Sequence, residues 1–259
     1  MKSSFESSTR IRHDVYYRGS GPAVLVIHEV PGITPLVAAF GRKVAEHGMT
    51  AVLPDLFGTP GAAIAGAALT ASFLRTCVSR EFTIFATNKT SPAVGYLREL
   101  AVFEHERRGG PGVGAVGMCL TGGFALAMCV EPAVIAPVLS QPSLPLPVSA
   151  RHRRALGLSN ADLGVVKGRV ADGLCAMGLR FTGDKKAPGE RFERLRHELG
   201  ANFIGVEIDS SLNNPWKFSA SAHSVLTEDY LDDAGSPTRQ AMDDVLAFLA
   251  QRLGVIAPS

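Results

Sequence analysis

The chain has 259 residues, with 26 Lys and Arg against 24 Asp and Glu for a formal charge of +2, and is 46% hydrophobic with 27 Gly and 16 Pro. Such a balance describes a globular chain and excludes intrinsic disorder. The cations are scattered rather than blocked, so no face is expected to neutralise a run of phosphates, which disfavours nucleic acid as a partner. At roughly 100–200 residues per domain, with α/β domains reaching about 250, the expectation is one domain over residues 1–259 whose core needs no disulfide staples.

The N-terminus, MKSSFESSTRIRHD, lacks the apolar centre of a secretion signal. Apolar runs that read as buried strands follow at Ala23 to His28, Thr50 to Leu53, Gly112 to Met118, Ala133 to Leu139, Leu174 to Phe181 and Asn202 to Ile208. Helical patterns lie between them, at Leu36 to Glu46, Ser91 to Glu106, Gly122 to Val130, Pro188 to Leu199 and Pro237 to Arg252. Strand alternating with helix predicts a parallel sheet covered on both faces, with ligands at the carboxyl ends of its strands. The Ala/Gly-rich stretch Thr59 to Phe73 reads as a surface loop running into a helix, and Ser140 to Ala150, with three prolines, as a loop bordering a site. Gly109 to Val130 carries no charge until Glu131, but its glycines and the closing Glu131-Pro132 favour strand, turn and buried helix over a membrane span.

Four cysteines, Cys77, Cys119, Cys129 and Cys175, form no C-x-x-C pair and no zinc spacing with histidine. They read as free thiols with no metal, which points to a reducing cytoplasm. Cys119 stands apart. It sits in GAVGMCLTGG, where an apolar strand meets an apolar helix through a turn cleared by Gly117, Gly122 and Gly123. A nucleophile on so tight a bend needs neighbours without bulk, and the helix N-terminus there favours a thiolate and a developing oxyanion. Leu120 N–H is the natural first donor. The other three cysteines lie in ordinary apolar surroundings, where a thiol is a small core residue.

A thiol nucleophile needs a base and a group to orient it. Of the histidines after Cys119, His152 lies in a basic run and His197 in a charged helix, whereas His223 follows the last apolar strand in the loop SASAHSVLT. His223 is the candidate base. Asp184 follows a strand in LRFTGDKKAP, with Gly183 before it and Pro188 opening the next helix. Asp209, after the next strand, competes for the same role.

The chain resembles the dienelactone hydrolase family of α/β-hydrolases. The stretches VLVIHEVPGI, LPDLFG, GMCLTGG, FTGDKKAP and AHSVLT carry the resemblance, in order, along nearly the whole length. It implies an α/β-hydrolase fold, a mostly parallel central sheet with helices on both faces, and a Cys-His-Asp triad of Cys119, His223 and Asp184, without a cofactor. It also implies that Glu29 interacts with the nucleophile and takes up its proton, and that Val30 N–H is the second oxyanion donor. Two departures stand out: Thr121 occupies a place where the family commonly has glycine, and Thr227 a place where it has a substrate-binding arginine. Arg80, in CVSREF, matches the other family arginine and is the candidate substrate cation, although an exposed helix arginine explains it equally. The resulting expectation is hydrolysis of a small, preferably neutral, ester or lactone through a thioester. The rival readings are a non-catalytic binding module and a redox-responsive thiol protein.

Overall fold

In the computed structural model, residues 1–61, 89–144 and 149–255 are described below. One eight-stranded sheet organises them: β1 (Lys2–Glu6), β2 (Arg12–Gly19), β3 (Ala23–Ile27), β4 (Thr50–Pro54), β5 (Val113–Met118), β6 (Val134–Ser140), β7 (Ala176–Phe181) and β8 (Phe203–Ile208). Their spatial order is β1-β2-β4-β3-β5-β6-β7-β8. The first two strands run antiparallel, β1 to β2 and β2 to β4, and every later pair is parallel. All six strands expected from apolar runs are present.

The sequence pattern misses β1 and β2, and the reason is their position. They flank the sheet with polar, largely exposed residues and bury only Val15 and Tyr17 deeply, so no continuous apolar run marks them. The helices are α1 (Pro35–Glu46), α2 (Pro92–Arg108), α3 (Gly122–Met128), α4 (Ala150–Arg154), α5 (Asn160–Ala171), α6 (Gly189–Leu199) and α7 (Pro237–Arg252). Two of these, α4 and α5, have no counterpart in the sequence reading: α4 buries no residue and α5 buries only Leu163 and Val166. Their first turns depend on Ser149 and Ser159, whose hydroxyls accept the backbone N–H groups of His152 and Asp162.

Alternate residues of β3 feed two cores. Ala23, Leu25 and Ile27 pack with α2, α3, α5 and α6, and Val24 and Val26 with α1 and α7. Sequence periodicity already predicts these two covered faces. Gly109 to Val130 resolves into a turn, β5, the bend at Cys119 and α3, and no described helix is long and apolar enough to cross a membrane. The Ala/Gly-rich stretch from residue 62 onward, Cys77 and Arg80 lie outside the described residues.

The sheet order carries the functional consequence. Since β3, β5, β6 and β7 are consecutive neighbours in space, the residues just past their carboxyl ends, Glu29, Cys119, Gln141 and Asp184, fall in a row along one edge. The connection from β3 goes to β4 on one side, while β5 lies on the other, which makes the end of β3 the switch point where α/β sheets open a crevice. Phe192 of α6 is fully buried and meets Phe203 of β8 edge to face, with centroids 5.6 Å apart. Phe192→Ala is therefore expected to cost about 3–5 kcal/mol, read as a lower urea midpoint. An unchanged midpoint would mean the ring is not packed as described.

Candidate active site

The bend at Cys119 is the most constrained backbone in the site. Cys119 has φ +56°, in the left-handed region that non-glycine residues rarely occupy, and opens a 3-10 turn over Cys119–Thr121 that passes directly into α3. Space for the bend comes from glycine. A Cβ on Gly117 would lie 2.1 Å from the Thr121 carbonyl oxygen, and one on Gly122 would lie 2.5 Å from Pro142 Cα. No side chain fits at either place.

Thr121, the departure from the family pattern, has a clear task. Its buried hydroxyl accepts the Met118 N–H at 3.0 Å and lies 2.8 Å from the Ile27 carbonyl and 2.9 Å from the Met118 carbonyl, the acceptors for its own proton. It thus ties the end of β5 to the end of β3, the two strands that precede Cys119 and Glu29. Beside it, His28 is fully buried and burial lowers its pKa to about 4, so the ring is neutral. Its Nε2 accepts the Leu56 N–H at 3.1 Å and its Nδ1 lies 3.1 Å from the Glu29 carbonyl. That bridge explains two of the quoted stretches, VLVIHEVPGI and LPDLFG, as one structural unit.

The structure brings His223 and Asp184 together, with Nδ1 to Oδ2 at 2.6 Å and both side chains buried. Asp184 is seated by the turn after β7: its second oxygen accepts Lys186 N–H at 2.9 Å, and Gly183 N–H donates to Ser210 Oγ at 2.9 Å. Gly183 is needed because a Cβ there would meet the Ala220 carbonyl oxygen at 2.7 Å. Asp209, the competitor, is exposed and spends its oxygens on Ser211 N–H and Oγ. His197 is exposed, and His152 is half-buried with its ring against Ser149 Oγ.

The remaining ring nitrogen of His223, Nε2, is buried and makes no protein hydrogen bond of ordinary geometry. Cys119, half-buried, is the group that faces it electrostatically. Burial opposes charge on the imidazole, but hydrogen bonding to Asp184 and Cys119, and their negative charges, outweigh it and raise its pKa to about 10. Cys129 is the opposite case: burial pushes its thiol up to about 12, and its S–H donates to the Ala125 carbonyl. Cys175 is half-buried against the core.

Glu29 is buried at the floor of this edge, and its described hydrogen bonds go to neutral donors. Thr227 Oγ1 donates to Oε1, and Ser224 Oγ and Gln141 Nε2 donate to Oε2 at 2.8 and 3.1 Å. The position that resemblance expects to be arginine therefore supports Glu29 through a hydroxyl. Leu120 follows Cys119 in the 3-10 turn, and Val30 follows Glu29, so the two expected oxyanion donors come from the ends of neighbouring strands.

Sequence reasoning overlooked Gln141, Ser224 and Asp229. Gln141 is buried with φ +35° and receives the Ser140 hydroxyl on its amide oxygen. Asp229 Oδ2 accepts the N–H groups of both His223 (2.8 Å) and Ser224 (2.9 Å), fixing the histidine's backbone. The signal available was the proline-rich loop after β6 and the serine beside His223.

These features, a nucleophile position on a strand-to-helix bend and a histidine–aspartate pair from later loops over a mostly parallel sheet, define the class: an α/β-hydrolase. The family model for the dienelactone hydrolase family matches residues 14–151, and the chain belongs to that family and is an ester-hydrolysing enzyme. The matched span contains Glu29, Arg80 and Cys119 but not Asp184 or His223. Similar solved structures include the α/β-hydrolase GrgF from Penicillium sp. sh18, with 12% identity, TM-score 0.65, and coverage of 98% of this chain and 99% of that one. Est1E from Butyrivibrio proteoclasticus matches with 12% identity, TM-score 0.59 and coverage of 98% and 99%. A dienelactone hydrolase-like promiscuous phosphotriesterase from metagenomic libraries matches with 16% identity, TM-score 0.55 and coverage of 96% and 98%. At such identities these likenesses speak for the fold. No curated protein sequence matches the chain.

Two outcomes follow from this geometry. Thr121→Val keeps the shape but strands the Met118 N–H, so it is expected to cost about 1–3 kcal/mol, with Thr121→Ser close to wild type. Equal urea midpoints for valine and threonine would remove the bridge from the account. For His223, a folded pKa of about 10 against an ordinary 6.5 means the stabilisation from its charge is complete below about 6.5 and is lost as pH rises through about 10. The stability margin of wild type over Asp184→Asn should accordingly shrink across that window, and a pH-independent margin would contradict a charged pair.

Proposed function

We propose that the chain hydrolyses a small ester or lactone with Cys119 as nucleophile, His223 as general base and acid, and Asp184 as the carboxylate that orients and charges the imidazole. The observation that carries this reading is the 2.6 Å contact between His223 and Asp184, with the other ring nitrogen buried and interacting with the half-buried Cys119. Asp184 is favoured over Asp209 as acid on the same ground. The thiolate attacks the acyl carbon, and the carbonyl π pair moves onto oxygen, where the N–H groups of Leu120 and Val30 would hold it. Collapse expels the alkoxide, which takes the proton from His223 Nε2, and leaves a thioester. Water then loses a proton to Nε2 while its oxygen attacks the same carbon, and collapse returns the thiolate and an imidazolium.

Glu29 enters this cycle as the buried carboxylate that the resemblance assigns to receive the proton of the resting thiol. Thr227, Ser224 and Gln141 occupy three of its acceptor positions, which leaves one lone pair on Oε1 to take that proton. The same arrangement shapes substrate choice. Residue 227 offers no cation and its hydroxyl is already engaged, so a neutral acyl group suits the site better than an anionic lactone. Arg80 is the remaining candidate cation for an anionic substrate. Free thiols at Cys119, Cys129 and Cys175 are compatible with a reducing compartment, and we assign the enzyme to the cytoplasm on that basis.

A p-nitrophenyl ester should leave a transient acyl adduct on Cys119, seen by mass spectrometry after rapid quench. Cys119→Ala should lose at least about 10³-fold in kcat/KM, and Arg80→Ala should slow anionic lactones only. Turnover by Cys119→Ala at the wild-type rate, or an adduct confined to Cys77, Cys129 or Cys175, would falsify the assignment.

A further inference from the structure

One buried cation is left unused by the mechanism. Arg191, in the first turn of α6, is 2% exposed, and every hydrogen bond it makes goes to a backbone carbonyl: Nε to Ala155 (2.7 Å), Nη2 to His152 (3.0 Å), and Nη1 to both Lys186 (3.2 Å) and Pro142. Among the described residues no carboxylate accepts from it. Burying a guanidinium this way is costly, and the cost is visible in a pKa that burial lowers to about 10 against the negative charges of Asp184, Cys119 and Glu190. A methionine or leucine would fill the same volume without that penalty, so an explanation is needed for why this position holds a planar five-donor fork.

The carbonyls it gathers supply the explanation. Pro142 packs against Gly122 at the bend, and the next residue, Ser143, donates its N–H to the Cys119 carbonyl at 2.8 Å. Lys186 belongs to the other half of the site: its N–H donates to Asp184 Oδ1 at 2.9 Å. One guanidinium nitrogen, Nη1, thus bonds to the loop that buttresses Cys119 and to the turn that seats Asp184, while the remaining nitrogens anchor the group to the end of α4. The loop and the turn follow β6 and β7, adjacent strands; Gln141 N–H donates to the Leu179 carbonyl at 2.7 Å, a bond from the loop to β7 itself, and the Arg191 fork reaches on to the turn.

We propose that Arg191 is a positioning residue for ester hydrolysis, setting the separation between the Cys119 bend and the Asp184–His223 pair through its shared bonds to Pro142 and Lys186. It touches neither substrate nor the reacting atoms. The proposal rests on the reading of Cys119 as nucleophile, and it predicts that loss of the fork degrades turnover at correctly folded sites rather than merely reducing the number of such sites.

The experiment compares wild type, Arg191→Met and Arg191→Lys on p-nitrophenyl acetate. Acylatable Cys119 is titrated by mass spectrometry, so that kcat is expressed per reactive site, and folding is followed by circular dichroism. Arg191→Met is expected to lower kcat per site by about 10²-fold, the scale of an ångström-level misplacement, with KM changed less than about threefold. Arg191→Lys, which keeps the charge and some donors, is expected to recover part of that loss. If Arg191→Met fails to fold, Arg191→Lys decides alone: a reduced kcat per site supports the proposal and a wild-type value overturns it. A lower titre with wild-type kcat per site assigns Arg191 to stability only and overturns it as well. Absence of any Cys119 adduct in wild type is a separate result, which removes the nucleophile itself and the positioning role with it.

Discussion

The site depends on holding one residue in an unfavourable backbone conformation. A cysteine at φ +56° is strained by about 1–3 kcal/mol relative to an extended or helical one, and nothing in its own side chain repays that. The compensation is distributed. Thr121 returns its hydroxyl to the backbone of β5 and β3, α3 begins at once after the bend, and the Ser143 N–H is bound to the cysteine's own carbonyl. Gly117 and Gly122 let carbonyl and proline approach where any side chain would collide. If the bend relaxed, the sulfur would leave the end of β5, and the pairing of His223 with Asp184 would have nothing to act upon.

Much of this was legible in the sequence because it rests on local necessities. Buried parallel strands must be apolar on both faces, so β3 to β7 announce themselves, and β8, although an edge strand burying only Phe203 and Ile208, carries an apolar run of its own. A bend needs glycines on both sides, so GMCLTGG marks the strand-to-helix turn at Cys119, and a strand followed by Gly-Asp marks the carboxylate that pairs with His223. The antiparallel strands β1 and β2 gave no comparable signal, since an exposed edge places no demand for a continuous apolar run. The helices α4 and α5 were hidden for a related reason: held by serine caps and little buried surface, they lack a wide apolar stripe. Gln141, Asp229 and Arg191 were illegible for a deeper reason. Gln141 and Arg191 work by bonding to residues distant in sequence, which only the sheet order brings within reach, while Asp229 acts within its own loop, where nothing in the sequence fixes how the chain folds back.

Glu29 illustrates how a family framework is modified without being lost. A buried carboxylate demands compensation, which a cation supplies by charge and which hydroxyl and amide donors supply by direct hydrogen bonds. Here Thr227, Ser224 and Gln141 perform the second task. The exchange satisfies the acid with dipoles instead of an ionic charge, so residue 227 adds no positive potential beside it. Dipolar donors also fall off with distance faster than an ionic charge does, which leaves His223 and Arg191 as the principal positive groups near Cys119 among the described residues.

The two amide bonds accepted by Asp229 bear on motion as well as placement. With the N–H groups of His223 and Ser224 both captured by one carboxylate oxygen, the main chain on this side of the crevice is clamped at the very residue that carries the imidazole. Any reorientation of the imidazole must then come from its two side-chain torsions, the ring turning through a short arc with its Asp184 bond as the pivot. An arrangement of this kind exchanges breadth of excursion for speed, because side-chain reorientation is faster than displacement of a loop.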